Sequence, residues 1–112
     1  MDSLVELLSI DGYIPVNKDL ARLLGINEAI IIGELIAEYK YWKNHNGLTE
    51  DGYFYSTLEN LEKNTTLNEF TQRKIIKHLC TLNILKTKRK DIPAKRYFWI
   101  NFEVLEKLLM SK

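Results

Sequence analysis

Nine lysines and arginines fall between residues 71 and 101 of this 112-residue chain: Arg73, Lys74, Lys77, Lys86, Lys88, Arg89, Lys90, Lys95 and Arg96. Asp91 is the single acid among them. Residues 1–70 have the opposite balance, five basic against twelve acidic, so a net charge of +1 conceals two halves of opposite sign. Ammonium and guanidinium groups crowded into one segment are suited to neutralising a row of phosphates and releasing their condensed counterions. A basic segment in an otherwise acidic chain reads as one face built to meet a polyanion.

The surrounding pattern points to elements that would present these charges to DNA. Asn68 is expected to cap a helix over 69–82, with Ile75, Ile76, Leu79 and Leu82 as its apolar positions and Phe70 near its start. Asn83 stands where a left-handed residue ends such a helix. Upstream, Tyr53-Phe54-Tyr55 reads as a short strand. Ser56 is expected to cap a small helix bearing Leu58 and Leu61, with Glu59 completing a capping box, and Asn64 to Leu67 forms a turn. Downstream come strand 84–89, a turn at Lys90 to Ala94, strand 96–100, and a last helix capped by Asn101 that carries Phe102, Leu105, Leu108 and Leu109.

Strand, short helix, tight turn, second helix and two-stranded ribbon is the winged helix-turn-helix order, and the second helix suits a major groove about 12 Å wide. Asn and Gln bond adenine edges in bidentate fashion, and Lys or Arg bonds guanine. The candidate DNA-binding residues are therefore Asn68, Thr71, Gln72, Lys74 and Lys77 on the helix, and Lys86, Lys88, Arg89, Lys90, Lys95 and Arg96 on the wing at 86–96. Thr65 and Thr66 in the turn are within reach of phosphates. Glu69 argues against this face, because a carboxylate repels phosphate unless it caps the helix or accepts from a cytosine amino group.

The first half reads as an arm. Leu4, Val5, Leu7 and Leu8 form a short apolar helix stripe broken at Asp11-Gly12. Tyr13-Ile14-Pro15-Val16 is expected to be an edge strand, since Pro15 has no N–H to donate. Asn17 caps a helix through Leu20, Leu23 and Leu24 that Gly25 stops. Asn27 is expected to cap a long helix running to about His45, apolar well beyond one face through Ile30, Ile31, Ile32, Leu35, Ile36, Tyr39, Tyr41 and Trp42. A helix so broadly apolar sits centrally in a core or meets a second subunit.

Other chemistries find no foothold. Cys80 is alone, His45 and His78 lie far apart, and no metal-ligand spacing or phosphate-loop motif occurs. No cofactor, metal, catalytic constellation or small-molecule substrate is expected, and the chain is not read as an enzyme. No run of about 18 apolar residues is present, and the N-terminus lacks the pattern of a signal peptide, so a cytoplasmic protein without a membrane partner is expected. The aromatic residues of the strands are read as core or interface and not as a stacking platform for single strands. Trp42 and Trp99 are the candidates for a subunit contact.

Residues 14–28 (IPVNKDLARLLGINE), the long helix, YFYST and the helix-turn-helix resemble the N-terminal domain of DnaD-like primosome proteins. They are also similar to phage replisome organisers and replication initiators of Gram-positive hosts. The tail IPAKRYFWIN with its amphipathic helix resembles the wing and closing helix of phage and mobile-element replication proteins. The resemblance covers about residues 13–110. It implies a helix–strand–helix arm over 1–47 that drives oligomerisation, followed by the winged helix over 53–110, the two forming one compact domain. Tyr13, Ile14, Val16, Ile31, Ile32, Tyr39 and Trp42 are then the interface residues of a homodimer or higher oligomer, with the strand at Ile14 pairing with its copy. The separate C-terminal domain of DnaD-like proteins has no counterpart in this sequence.

The expected fold is mainly α with a small β-ribbon, a winged helix with an N-terminal dimerisation arm. The expected function is double-stranded DNA binding in replication of a phage or mobile element, with replication proteins as further partners. The alternatives are a protein-interaction scaffold in helicase loading without DNA contact, and a transcriptional regulator.

Overall fold

Small polar side chains set most of the helix starts. The computed structural model describes residues 2–10, 12–91 and 93–111. In chain order they form α1 (Asp2–Ile10), α2 (Lys18–Leu24), α3 (Ile26–Asn44), β1 (Phe54–Tyr55), α4 (Leu58–Thr65), α5 (Glu69–Thr81), β2 (Leu85–Lys90), β3 (Lys95–Ile100) and α6 (Phe102–Met110). Asn17, Asn68 and Asn101 each accept a hydrogen bond from the backbone N–H three residues on, as Asx N-caps do. The cap of α4 is Thr57 and not Ser56: the Thr57 hydroxyl accepts from Asn60 N at 3.0 Å, while Ser56 is buried. α3 begins at Ile26 directly after Gly25, whose φ of 114° turns the chain between α2 and α3, so Asn27 lies inside the helix. Asn83 has φ 62°, as its place after α5 demands.

The sheet order is β1-β3-β2, antiparallel throughout, with Phe54 opposite Phe98 and Leu85 opposite Ile100. Together with six helices this makes a mainly helical protein with a small three-stranded sheet, compatible with a winged helix. One apolar core joins the halves: Ala29, Ile31, Ile32 and Leu35 of α3 meet Leu61 of α4, Ile75 and Leu79 of α5, and Phe54, Phe98 and Ile100 of the sheet. α6 packs back on α2.

Two sequence expectations fail here. Residues 13–16 form no strand, and the segment runs without regular secondary structure. Ile31 and Ile32 are fully buried inside this one chain, which removes them from any subunit interface: the breadth of the apolar surface on α3 is used by α2, α4, α5 and β1. Of the other expected interface residues, Tyr39 packs its ring on Phe54 and Phe102, and Trp42 donates its indole N–H to Tyr55 O at 3.0 Å. Val16 packs against the core, Ile14 is half-buried, and Tyr13 is exposed, as are Leu4, Val5 and Leu8. Asp11 of the expected helix break, Ile92 of the hairpin turn and the side chain of Leu7 lie outside the described residues.

Gln72 fixes the turn between α4 and α5. Its side chain is fully buried, and Nε2 donates to Leu58 O at 3.0 Å and Leu67 O at 2.8 Å. These bonds tie the first turn of α4 and the loop before α5 to one side chain, while Thr66 at φ 66° ends α4. Gln72→Ala is expected to lower stability in urea unfolding by about 2–4 kcal/mol, through the cavity and two abandoned carbonyls. A change within about 0.5 kcal/mol would fit a surface glutamine instead.

Candidate nucleic-acid interface

The basic residues divide between two sides of the β2–β3 hairpin, because strand neighbours alternate faces. Arg89 and Arg96 are paired across the ladder on the side that carries Phe98, Leu85 and Ile100. There they face Arg73 and Lys77 of α5 across a cleft of about 500 Å³ whose floor includes Ile76 and Cys80. Arg96 is half-buried with its guanidinium 4.5 Å from the Phe98 ring. Burial first, then the charges of Arg89 and Arg73, push its pKa down to about 10, and one buried nitrogen, Nη2, has no hydrogen-bond partner. Three guanidinium groups held together against their own repulsion make a local field favourable to an anion.

On α5 the face opposite the core presents Phe70, Lys74, Lys77 and Thr81. Phe70 stands 78% exposed, where the sequence reading grouped it with the apolar positions of the helix. Glu69 is held by Arg73, whose Nη2 lies 2.6 Å from Oε1, so this carboxylate is neutralised on the same face. Of the expected contacts, Lys74, Lys77, Lys86, Arg89, Lys90 and Lys95 are exposed, and Lys88 is half-buried and paired with Asp51 at 2.7 Å. Thr71 is half-buried, and Asn68 is exposed with Oδ1 engaged as the cap. Gln72 is the correction: it sits in the core on the same helix stripe as Ile75, Ile76 and Leu79, and its amide cannot reach a base. That stripe was readable in the spacing 72, 75, 76, 79. Arg73, absent from the expected contacts, was signalled only as one of the nine basic residues between 71 and 101.

A second polar feature lies away from these charges. Glu38 of α3 is buried beside a cleft lined by Glu34, Tyr41, Trp42, Tyr55, Ser56 and Asn60. Desolvation raises its pKa from 4.5 to about 8. Glu34 adds to the rise, while Ser56 and Asn60 oppose it. Neither Glu38 Oε2 nor Ser56 Oγ has a hydrogen-bond partner.

No family model and no curated protein matches the chain. Its fold is shared with two solved structures. One is described as an N-terminal domain of a DNA-binding protein, at 17% identity and a TM-score of 0.63, covering 93% of this chain and 88% of that one. The other is described as a Rep-DNA complex, at 18% identity and a TM-score of 0.64, covering 87% of this chain and 80% of that one.

Glu38 gives the fold a pH dependence of known sign. Its folded pKa lies above its unfolded value, so the native state holds the extra proton between about pH 4.5 and 8. The stability this contributes is present below pH 4.5 and is lost as pH rises through 8. Glu38→Gln is expected to flatten that decline, gaining on the wild type by a few kcal/mol between pH 5 and 9 in paired urea titrations. Parallel pH profiles for the two proteins would contradict it.

Proposed function

We propose that this chain is a binding domain and not an enzyme: a winged helix that holds double-stranded DNA in the cytoplasm as part of a replication protein. α5 enters the major groove, and the β2–β3 wing holds the flanking backbone. The observation that carries the reading is the convergence of Arg73 and Lys77 of α5 with Arg89 of β2 and Arg96 of β3 on a single cleft. Four cations from three elements are more than a solvated helix face supplies, and such a cluster suits phosphates. The two solved structures of like fold are described as DNA-binding, which supports the same reading.

With Gln72 in the core, base contacts fall to Lys74, Lys77, Thr71 and Phe70, the last through a thymine methyl. Lys86, Lys88, Lys90, Lys95 and Asn68 remain candidates for the backbone. The resemblance of IPVNKDLARLLGINE and IPAKRYFWIN supports a role among phage or mobile-element replication proteins of the DnaD-like kind. Exposed Leu4, Val5, Leu8 and Tyr13, with half-buried Ile14 beside them, favour an oligomer formed through the N-terminal segment, so that two copies span two half-sites. The same exposed residues favour the second reading, a scaffold for other replication proteins.

Fluorescence anisotropy of a labelled random duplex across a salt series tests the proposal. Neutralising six phosphates gives a log–log salt slope of roughly −5. Arg89→Ala with Lys90→Ala should weaken binding to all sequences alike and bring the slope about two closer to zero. Glu69→Ala should tighten binding severalfold by releasing Arg73 from its carboxylate partner. Absence of binding at low salt would hand the basic face to an acidic protein partner.

A further inference from the structure

The outer side of the sheet is built differently from the arginine cleft. Strand alternation turns Tyr55, Tyr97 and Trp99 away from the core, while their neighbours Phe54 and Phe98 are fully buried. Tyr53, just before β1, joins them, since Lys88, which is paired with Tyr97 in the ladder, lies over its ring at 4.0 Å. All four rings are half-exposed, and the Tyr55 and Tyr97 centroids are 5.9 Å apart. Each of the other three rings also carries its own lysine: Lys86 over Trp99 at 5.0 Å, Lys90 over Tyr97 at 4.7 Å, and Lys95 over Tyr55 at 5.6 Å. The two acids at this face are both engaged, Asp51 by Lys88 at 2.7 Å and Asp91 by the Tyr97 hydroxyl at 3.0 Å.

From this arrangement we infer that the outer face of the sheet binds single-stranded nucleic acid, with bases stacked on Tyr53, Tyr55, Tyr97 and Trp99 and phosphates held by the four lysines. A duplex keeps its base faces inside the stack, so a platform of rings is of use only to an unpaired strand. An acidic peptide would satisfy the lysines and leave the rings without a purpose. The lysine–ring contacts are weak at an exposed site compared with base–aromatic stacking, so an arriving strand displaces the ammonium groups onto its own backbone. Lys86, Lys88 and Lys90 run as a row along β2 beside Tyr97 and Trp99 of β3, so the cations flank the rings along one line. This site adds aromatic rings to lysines that the duplex reading counts among its backbone candidates, so its test changes those rings, which the duplex reading does not use.

The test uses Trp42→Phe, in which Trp99 is the remaining tryptophan. Titration with a dT 12-mer should quench Trp99 emission saturably, and more weakly as salt rises. An rU 12-mer run in parallel reads the sugar preference, and quenching by either strand supports the site. In the wild-type background Tyr97→Ala should weaken binding of the labelled 12-mer about tenfold, and Tyr97→Phe should restore it, although it cannot donate to Asp91. Tyr53→Ala, outside the strand ladder, is the second variant and should show a loss of similar size. Binding of a blunt duplex should stay within twofold in every case, which separates failure of this site from failure of the duplex interface. The inference is overturned if neither strand quenches Trp99, if a poly-glutamate 12-mer quenches it as well, or if Tyr97→Phe fails to rescue.

Discussion

Strand β3 is the constraint on which both nucleic-acid faces depend. It is the central strand, bonded to β1 on one side and β2 on the other, and its six residues alternate strictly in direction. Phe98 and Ile100 anchor it in the core, so Arg96 must share their side and Tyr97 and Trp99 must take the other. A one-residue slip in this register would bury tyrosine hydroxyls and expose Phe98, at a cost the small core could not bear. The positions of the arginine cleft and of the aromatic face therefore both follow from the anchoring of two apolar residues.

The helix-turn-helix is held by a different device. Its turn has little apolar surface to pack, and the buried Gln72 amide supplies the link between α4, the loop and α5. Burying an amide is costly unless it is bonded; here Nε2 donates to two backbone carbonyls while the buried Oε1 has no partner. α5 is thereby fixed relative to the sheet, which keeps Arg73 and Lys77 opposite Arg89 and Arg96. Burial, and after it the charges of Arg89 and Arg73, lower the pKa of Arg96, and an arriving anion would offset both.

Much of this was legible in the sequence. Asn17, Asn68, Asn83 and Asn101 marked helix ends because their short side chains bond the local backbone or tolerate positive φ, and the helix, turn, helix and hairpin followed. The misreadings have physical causes. Gln72 was read by its chemistry when its place on the Ile75–Ile76–Leu79 stripe decided its fate. Ser56 and Thr57 are equivalent as caps by type, and only the packing of Ser56 beneath the sheet selects Thr57. Ile31 and Ile32 looked surplus to one core because sequence cannot count how many elements converge on a central helix. The expected edge strand at residues 13–16 follows from an extended Tyr-Ile-Pro-Val run in which Pro15 has no N–H, and these residues meet no ladder within the chain.

The central claim is that α5 and the inner side of the hairpin receive duplex DNA. The most direct measurement is a two-dimensional amide NMR titration of the labelled protein with a short duplex. The account predicts resonance shifts concentrated at residues 68–81 and around Arg89 and Arg96, with the Gln72 side-chain amide kept in slow hydrogen exchange throughout. Shifts confined to α1, residues 13–16 and α3, with residues 68–96 unchanged, would contradict it.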